Sequence, residues 1–271
     1  MRLDLHLHTT CSDGLLRPAD LVAAARRASL DVIAVTDHDT LSGIAPARAA
    51  AEALGGIRVV PGIELTCTLA GADLHLLGYG MDLAHQGLAA LAGEVTERRV
   101  RRVAAIVGKL VDLGVGISVA DVTVPEGNAS VGRPHVAQAL VRLGRAGSVQ
   151  EAFSRWLADG GPAHVPSGGP DVLDGIAAIA AAGGCPVWAH PALKDADRFA
   201  VLAAAGLVGV EALRPSLDPA ASIAIEHAAR AAGLVITGGS DWHGGPRPAL
   251  GSWYLTERHV GPFLRRIGLA A

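Results

Sequence analysis

The sequence predicts an α/β fold: a parallel sheet, most simply closed or nearly closed into a barrel, interrupted by a helical insertion. Three observations carry this. Apolar runs of strand type alternate with helical segments over residues 1–83, and the same rhythm returns from Asp171 onward. Few strand signals occur between about 84 and 163, which reads as an all-helical insertion. Finally, several of the strand-like runs end in His, Asp or Glu. The division expected is therefore a discontinuous barrel domain, 1–83 and 164–271, with 84–163 as a helical cap. A chain of 271 residues is long enough to bury a sizeable core, and α/β barrels of this length often form one domain.

The elements follow in order. Residues 2–8, Arg-Leu-Asp-Leu-His-Leu-His, alternate as a strand does, and positions i and i+2 share a face, so His6 and His8 point the same way. Pro18, tolerated in a first turn, opens a helix expected over 18–29. Residues 31–36 form an apolar run of parallel-strand type. A helix over 42–54 stops at Gly55-Gly56. Strands at 57–65 and 73–79 come next. The insertion offers helices at 88–113, 131–143 and 148–157. Then come helix 171–182, strand 185–190, helix 195–205, strand 207–213, helix 219–232 and strand 234–239.

Composition narrows the function. A formal net charge of −3 provides no global basic field for long nucleic acid, so long DNA is excluded as a partner. Aromatic residues make up 3% of the chain, leaving few platforms on which bases could stack. No segment reaches the ~20 uninterrupted apolar residues of a membrane span. Cys11, Cys67 and Cys185 are widely spaced and odd in number. With no signal peptide visible they read as reduced thiols, best placed as small buried hydrophobes in a cytoplasmic protein.

Eleven histidines are present, and His8, Asp37/His38, Glu64, His190 and Asp241/His243 all fall where a predicted strand meets its following loop. In α/β folds that rim is where sites form, and it would bring together residues far apart in sequence. A lone strand-end histidine is ordinarily a satisfied polar side chain. For His6, His8, His38, Glu64, His190, Asp241 and His243 the joint pattern favours a metal centre instead. Imidazole with carboxylate suits Mn²⁺, Zn²⁺ or Fe²⁺, whereas thiolate-rich sites favour zinc.

Five motifs in order sharpen this: His6-Leu7-His8-Thr9-Thr10-Cys11-Ser12-Asp13-Gly14, Thr36-Asp37-His38-Asp39, Pro61-Gly62-Ile63-Glu64, Ala189-His190-Pro191 and Gly239-Ser240-Asp241-Trp242-His243. Together they resemble the PHP family, the polymerase and histidinol phosphatase superfamily of metal-dependent phosphoesterases, through nearly the whole chain. The resemblance implies a distorted seven-stranded (β/α) barrel and two or three divalent ions, with Mn²⁺ the family's preference. It implies that His6, His8, Glu64 and Asp241 hold one ion. Glu64 bridges to a second, completed by His75 and His190, and Asp13, His38 and His243 hold a third. Asp13 also lies in an ordinary turn sequence. His75 sits in an apolar strand, where an unpaired imidazole would be costly. His243 or Asp37 could protonate the leaving oxygen or orient a ligand. Asp37 and Asp39 are better read as partners that orient ligating histidines.

The insertion carries Arg133-Pro134-His135, similar to an Arg-x-His element of the family's nucleotide-phosphatase branch. There Arg133 would offer a planar donor to phosphate and His135 would assist at a helix N-terminus; Arg214, after a predicted strand, is a further candidate. This likeness implies removal of the 3′-phosphate from nucleoside 3′,5′-bisphosphates, with AMP or short oligoribonucleotides as further substrates. Asp159-Gly160-Gly161 lacks a basic residue that the branch usually carries before the proline, and His164 stands where tyrosine is common. Competing expectations are a histidinol-phosphate phosphatase, a non-catalytic metal-binding module, and an amidohydrolase-like activity on C–N bonds, since a barrel alone does not specify chemistry. The Glu97–Arg102 charge run reads as a solvated helix face, and His85, His227 and His259 as surface residues.

Overall fold

The computed structural model describes residues 1–123, 130–245 and 248–269, so part of the insertion predicted over 84–163 lies outside the described residues. Eight strands form one sheet. In chain order they are β1 (Arg2–Leu7), β2 (Val32–Val35), β3 (Arg58–Leu69), β4 (Ala72–Tyr79), β5 (Cys185–Trp188), β6 (Gly209–Leu213), β7 (Val235–Gly238) and β8 (Leu255–Thr256). In space the order is β7-β6-β5-β4-β3-β2-β1-β8. The far edges approach each other: Leu7 bridges to Trp242 in parallel, and the His8 amide donates to the Trp242 carbonyl at 3.1 Å. The result is a nearly closed barrel, as expected.

The helices are α1 (Pro18–Arg27), α2 (Ile44–Leu54), α3 (Gln86–Asp112), α4 (Arg133–Arg142), α5 (Val149–Ala152), α6 (Val172–Ala181), α7 (Phe199–Ala204), α8 (Pro219–Ala231) and α9 (Glu257–Arg266). On β2, Ile33 and Val35 pack with Leu21 and Val22 of α1 and Ala47 of α2. The alternate residues Val32 and Ala34 join Leu5, Val60, Leu77, Tyr79 and Val187 in another cluster. Period-two alternation thus buries both faces of the strand, as a parallel sheet under helices requires. Phe263 of α9 meets Tyr79 edge-on at 5.1 Å between ring centres.

One expectation is corrected. The sheet is not all parallel, because β4 runs antiparallel to both β3 and β5. After Leu69 the chain reverses through Ala70 (φ 51°) and Gly71 (φ 80°), a two-residue connection in the left-handed region that suits a hairpin. No crossover helix intervenes. The reversal matters for the site. It puts the early half of β4, rather than its end, beside the later half of β3, and Thr66 pairs with His75 in this register.

The helix α3 serves two cores. Leu88, Ala92 and Val95 pack into the barrel cluster with Leu65, Leu76 and Ile176. About two to four turns after Val95, Val103, Ile106, Val107 and Leu110 pack instead with Val136, Leu140, Trp156 and Leu157. Among the described residues no helix is long and apolar enough to cross a membrane.

Candidate metal centre

Glu64 is the hub. It stands mid-way along β3, 1% exposed, and its two carboxylate oxygens face different histidines. Oε1 lies 2.9 Å from His75 Nδ1 and 3.1 Å from His190 Nε2, which are themselves 3.3 Å apart. Oε2 lies 3.2 Å from His6 Nε2, 3.2 Å from His8 Nε2 and 3.0 Å from His38 Nδ1. Asp241 Oδ1 closes on the same two nitrogens, 3.4 Å from His6 and 3.2 Å from His8. A third carboxylate, Asp13, faces His243 Nε2 at 3.3 Å, His8 Nδ1 at 3.6 Å and His38 Nε2 at 3.7 Å. The eight ligand candidates that the motifs single out, and His75, which the family resemblance adds, therefore meet at one rim. His8 stands in two groups at once, beside Glu64 and Asp241 through one ring nitrogen and beside Asp13 through the other.

These residues fit divalent cations. Five of their buried atoms, His6 Nε2, His8 Nε2, Asp13 Oδ1, His38 Nδ1 and Glu64 Oε2, have no hydrogen-bond partner of good geometry. Leaving a buried polar atom unsatisfied costs about 1–3 kcal/mol each, so their convergence needs a compensating ligand. A cation shared by imidazole and carboxylate lone pairs supplies one. Electrostatics agree. Burial pushes the Glu64 and Asp13 carboxyls up, but the surrounding imidazoles, His38 first, override it and hold both well below the usual carboxylate range. Burial lowers His8, yet Asp241 and Glu64 raise it to about 10.

The backbone is shaped to make this happen. His190 (φ 38°) and Asp241 (φ 55°) adopt the left-handed region just after β5 and β7, a conformation that costs side-chain-bearing residues on the order of 1–3 kcal/mol. Gly239 allows the seam to close, since a Cβ there would lie 2.1 Å from the His6 Cβ.

A supporting layer holds the imidazoles. His6 Nδ1 lies 2.9 Å from Glu211 Oε1, which assigns the proton to Nδ1 and leaves the Nε2 lone pair facing Glu64 and Asp241. The other Glu211 oxygen accepts the His190 amide at 3.0 Å. Asp37 is a brace: its oxygens accept Thr9 N–H, Thr9 Oγ1–H and Ser12 Oγ–H, each at 2.7 Å, and Ser12 Oγ reaches His8 Nδ1 at 3.3 Å. Of the two roles left open for Asp37, these bonds fit orientation of a ligand.

A scan against family models matches the PHP domain over residues 4–106. The chain is 32% identical over 250 residues to the 3′,5′-nucleoside bisphosphate phosphatase of Chromobacterium violaceum, covering 89% of this chain and 87% of that one. The chain belongs to the PHP family. It is also 35% identical over 190 residues to the 5′-3′ exoribonuclease of Haemophilus influenzae, covering 70% of this chain and 69% of that one. Of the further exoribonucleases that match, it spans slightly less than two thirds of the length. Among solved structures, a protein from Bifidobacterium adolescentis provisionally assigned as a metal-dependent phosphoesterase superposes with TM-score 0.89 at 31% identity, covering 97% of this chain and 96% of that one.

Within this PHP chain the residues expected to grip phosphate behave differently. Arg133 is committed inside the insertion, donating to the Leu157 carbonyl at 3.1 Å and to Asp159 at 2.6 Å. The acid at 159 explains the pairing and stands where a base was expected. His135 is buried, and its Nδ1 accepts the Gly132 amide at 3.1 Å. Burial lowers the His135 imidazole below its ordinary value. Arg214 donates to the carbonyls of Glu211 and Pro191 at 3.3 and 3.2 Å, on the rim itself.

Sequence reasoning passed over two groups. Glu211 had a signal, a lone acid within the apolar strand Gly209–Leu213. Arg99 had none, hidden in the charge run taken as a solvated face. Glu97 and Arg101 are indeed exposed, but Arg99 is buried, paired with Asp39 and bonded to Thr66 Oγ1 at 2.7 Å. Arg102 likewise turns inward, to the Val165 carbonyl and Asp73. Asp39 (φ 54°) follows His38, so Arg99 ties α3 to the rim.

Proposed function

We propose that this protein is a metal-dependent phosphoesterase acting on small nucleotides, first the 3′-phosphate of nucleoside 3′,5′-bisphosphates. The observation that carries the reading is Glu64, a sealed carboxylate whose two oxygens face five imidazoles. One carboxylate serving two groups of nitrogens would be shared between two ions. We assign His6, His8, Glu64 and Asp241 to one ion, Glu64, His75 and His190 to a second, and Asp13, His38 and His243 to a third, with Mn²⁺ the first candidate. Divalent ions bound there would supply charge neutralisation on the phosphoryl oxygens and a water ionised near neutral pH.

The chain's own residues do the rest. Glu211 keeps His6 in the tautomer that presents Nε2 to the rim, and Asp37, through Ser12, does the same for His8. Water attacks phosphorus, the P–O ester bond breaks, and the departing sugar oxygen takes a proton. That proton comes from solvent at the open mouth, because His243, whose Nδ1–H donates to the Asp241 carbonyl at 2.8 Å, has only its Nε2 lone pair to offer the third ion. The helical cluster centred on Ile106, Leu140 and Trp156 serves as a cap that shields the rim.

Support for the nucleotide comes from the likeness to the Chromobacterium bisphosphate phosphatase, which runs through 89% of the chain. Short 5′-phosphorylated oligoribonucleotides are the second reading, carried by the likeness to exoribonucleases. Phosphate release from adenosine 3′,5′-bisphosphate, AMP and histidinol phosphate, each with Mn²⁺ added, tests the choice. Bisphosphate should be turned over fastest; a clear preference for histidinol phosphate overturns the nucleotide assignment.

A further inference from the structure

A cavity of about 210 Å³ opens beside the metal centre, between the β3–β4 hairpin and the segment that follows β5. His75 and His190 line it together with Leu74, Trp188, Lys194 and Arg198. Lys194 and Arg198 belong to one 3₁₀ turn, Leu193–Arg198, that leads into α7. Among the described residues neither side chain makes a hydrogen bond or an ion pair. The cavity's two acids, by contrast, are engaged. Asp73 accepts from Ser167 at 2.6 Å and pairs with Arg102, and Asp195 accepts the Ala192 amide at 2.9 Å. Two unpaired cations therefore border a cavity that His75 and His190 of the metal centre also line.

The cations expected for a substrate's second phosphate are less available. Arg133 is held by Asp159, and the Arg214 guanidinium is held by two backbone carbonyls. We propose that Lys194 and Arg198 bind the second, non-reacting phosphate of the substrate in this cavity. The proposal rests on the phosphoesterase reading above and adds where the substrate's far end lies. The reacting phosphate would sit over Glu64 and the ester would extend past His75 and His190. Arg198 suits the far phosphate because a guanidinium offers two parallel donors to phosphate oxygens, and Lys194 adds a compact charge. The apolar Leu74 and Trp188 lower the local dielectric and strengthen both contacts. A substrate with one phosphate would use only the metal side.

The test compares adenosine 3′,5′-bisphosphate with adenosine 3′-monophosphate, with Mn²⁺ supplied, in the wild type and in the Lys194→Ala/Arg198→Ala variant. Lys194 is exposed and Arg198 half-buried, and neither holds another residue in place, so the variant should fold. For the bisphosphate, KM should rise about ten- to hundredfold, the worth of charge-assisted hydrogen bonds, with kcat changed far less. The wild type's preference for bisphosphate over monophosphate should collapse by the same factor, and Arg198→Lys should keep part of it. An unchanged preference in the double variant overturns the subsite, as does an equal loss on both substrates or a wild type with no preference. A wild type that hydrolyses neither compound overturns the phosphoesterase reading and the subsite with it.

Discussion

At the barrel mouth, six imidazoles and three carboxylates crowd together, and five of their buried atoms lack hydrogen-bond partners. In the helical insertion several charged groups of the described residues are matched locally: Arg133 with Asp159, Arg155 with Glu151, Arg142 with the Asp121 carbonyl. Its interior is an ordinary apolar cluster. The contrast teaches where stability and function part company. Groups satisfied by their neighbours hold a structure together, whereas groups left aimed at a common point hold something else. Arg99 is the link between the two regimes, a satisfied charge whose partner Asp39 adjoins the unsatisfied ones.

Removing the hub should break the contrast most severely. Glu64→Gln withdraws charge from both sides of the bridge, and phosphate release should fall by more than about hundredfold, the loss that even an outer partner of a ligand can bring. Melting of the metal-free variant should fall below wild type, because the buried imidazoles that hold Glu64 ionised lose their counter-charge. A variant that retains activity would sink the bridging assignment. Next in size is the link. Arg99→Met strands Asp39 without its cation and should cost about 3–5 kcal/mol in urea unfolding, and Arg99→Met/Asp39→Asn should recover part of it. If the single change costs under about 1 kcal/mol, like an exposed pair, Arg99 is not the tie described.

Glu211→Gln sharpens the comparison without emptying the rim. It releases the His6 tautomer, so calorimetric titration with Mn²⁺ should show affinity weakened about 10–100-fold while circular dichroism stays native. Undiminished affinity would remove Glu211 from the site. The smallest effect is expected in the insertion. Burial pushes the Asp159 carboxyl up, but Arg133 and His164 outweigh it and hold it below the ordinary range. A carboxyl whose folded value is depressed stabilises above its unfolded value and loses that contribution as pH falls through the folded one. Because Asp159 is 76% exposed, Asp159→Asn should cost less than about 1 kcal/mol at pH 7 and nothing in strong acid. A larger loss at neutral pH would show that the pair does more than a surface ion pair can.

Much of this was legible beforehand, and the residues say why. His6, His8, His38, His190, Asp241 and His243 lie in short motifs at strand ends, and a parallel strand delivers its last residues to one rim wherever it sits in the sheet. Period-two alternation likewise located β1 and a continuous apolar run located β2, and the first-turn proline and paired glycines bounded α1 and α2. Their placement needed only local chain geometry. The reversal of β4 did not follow, because Ala70 and Gly71 enter the left-handed region only when a hairpin partner is present. Nor did the inward turn of Arg99 within a run whose exposed members look the same. Which arginine is free and which is spent, Arg133 against Arg198, depends on Asp159 being close enough in space to claim one of them. The order of residues along the chain thus determined what chemistry the rim could perform. Only the packed molecule decided which charges were left unpaired to perform it, because burial and pairing are set by neighbours distant in sequence.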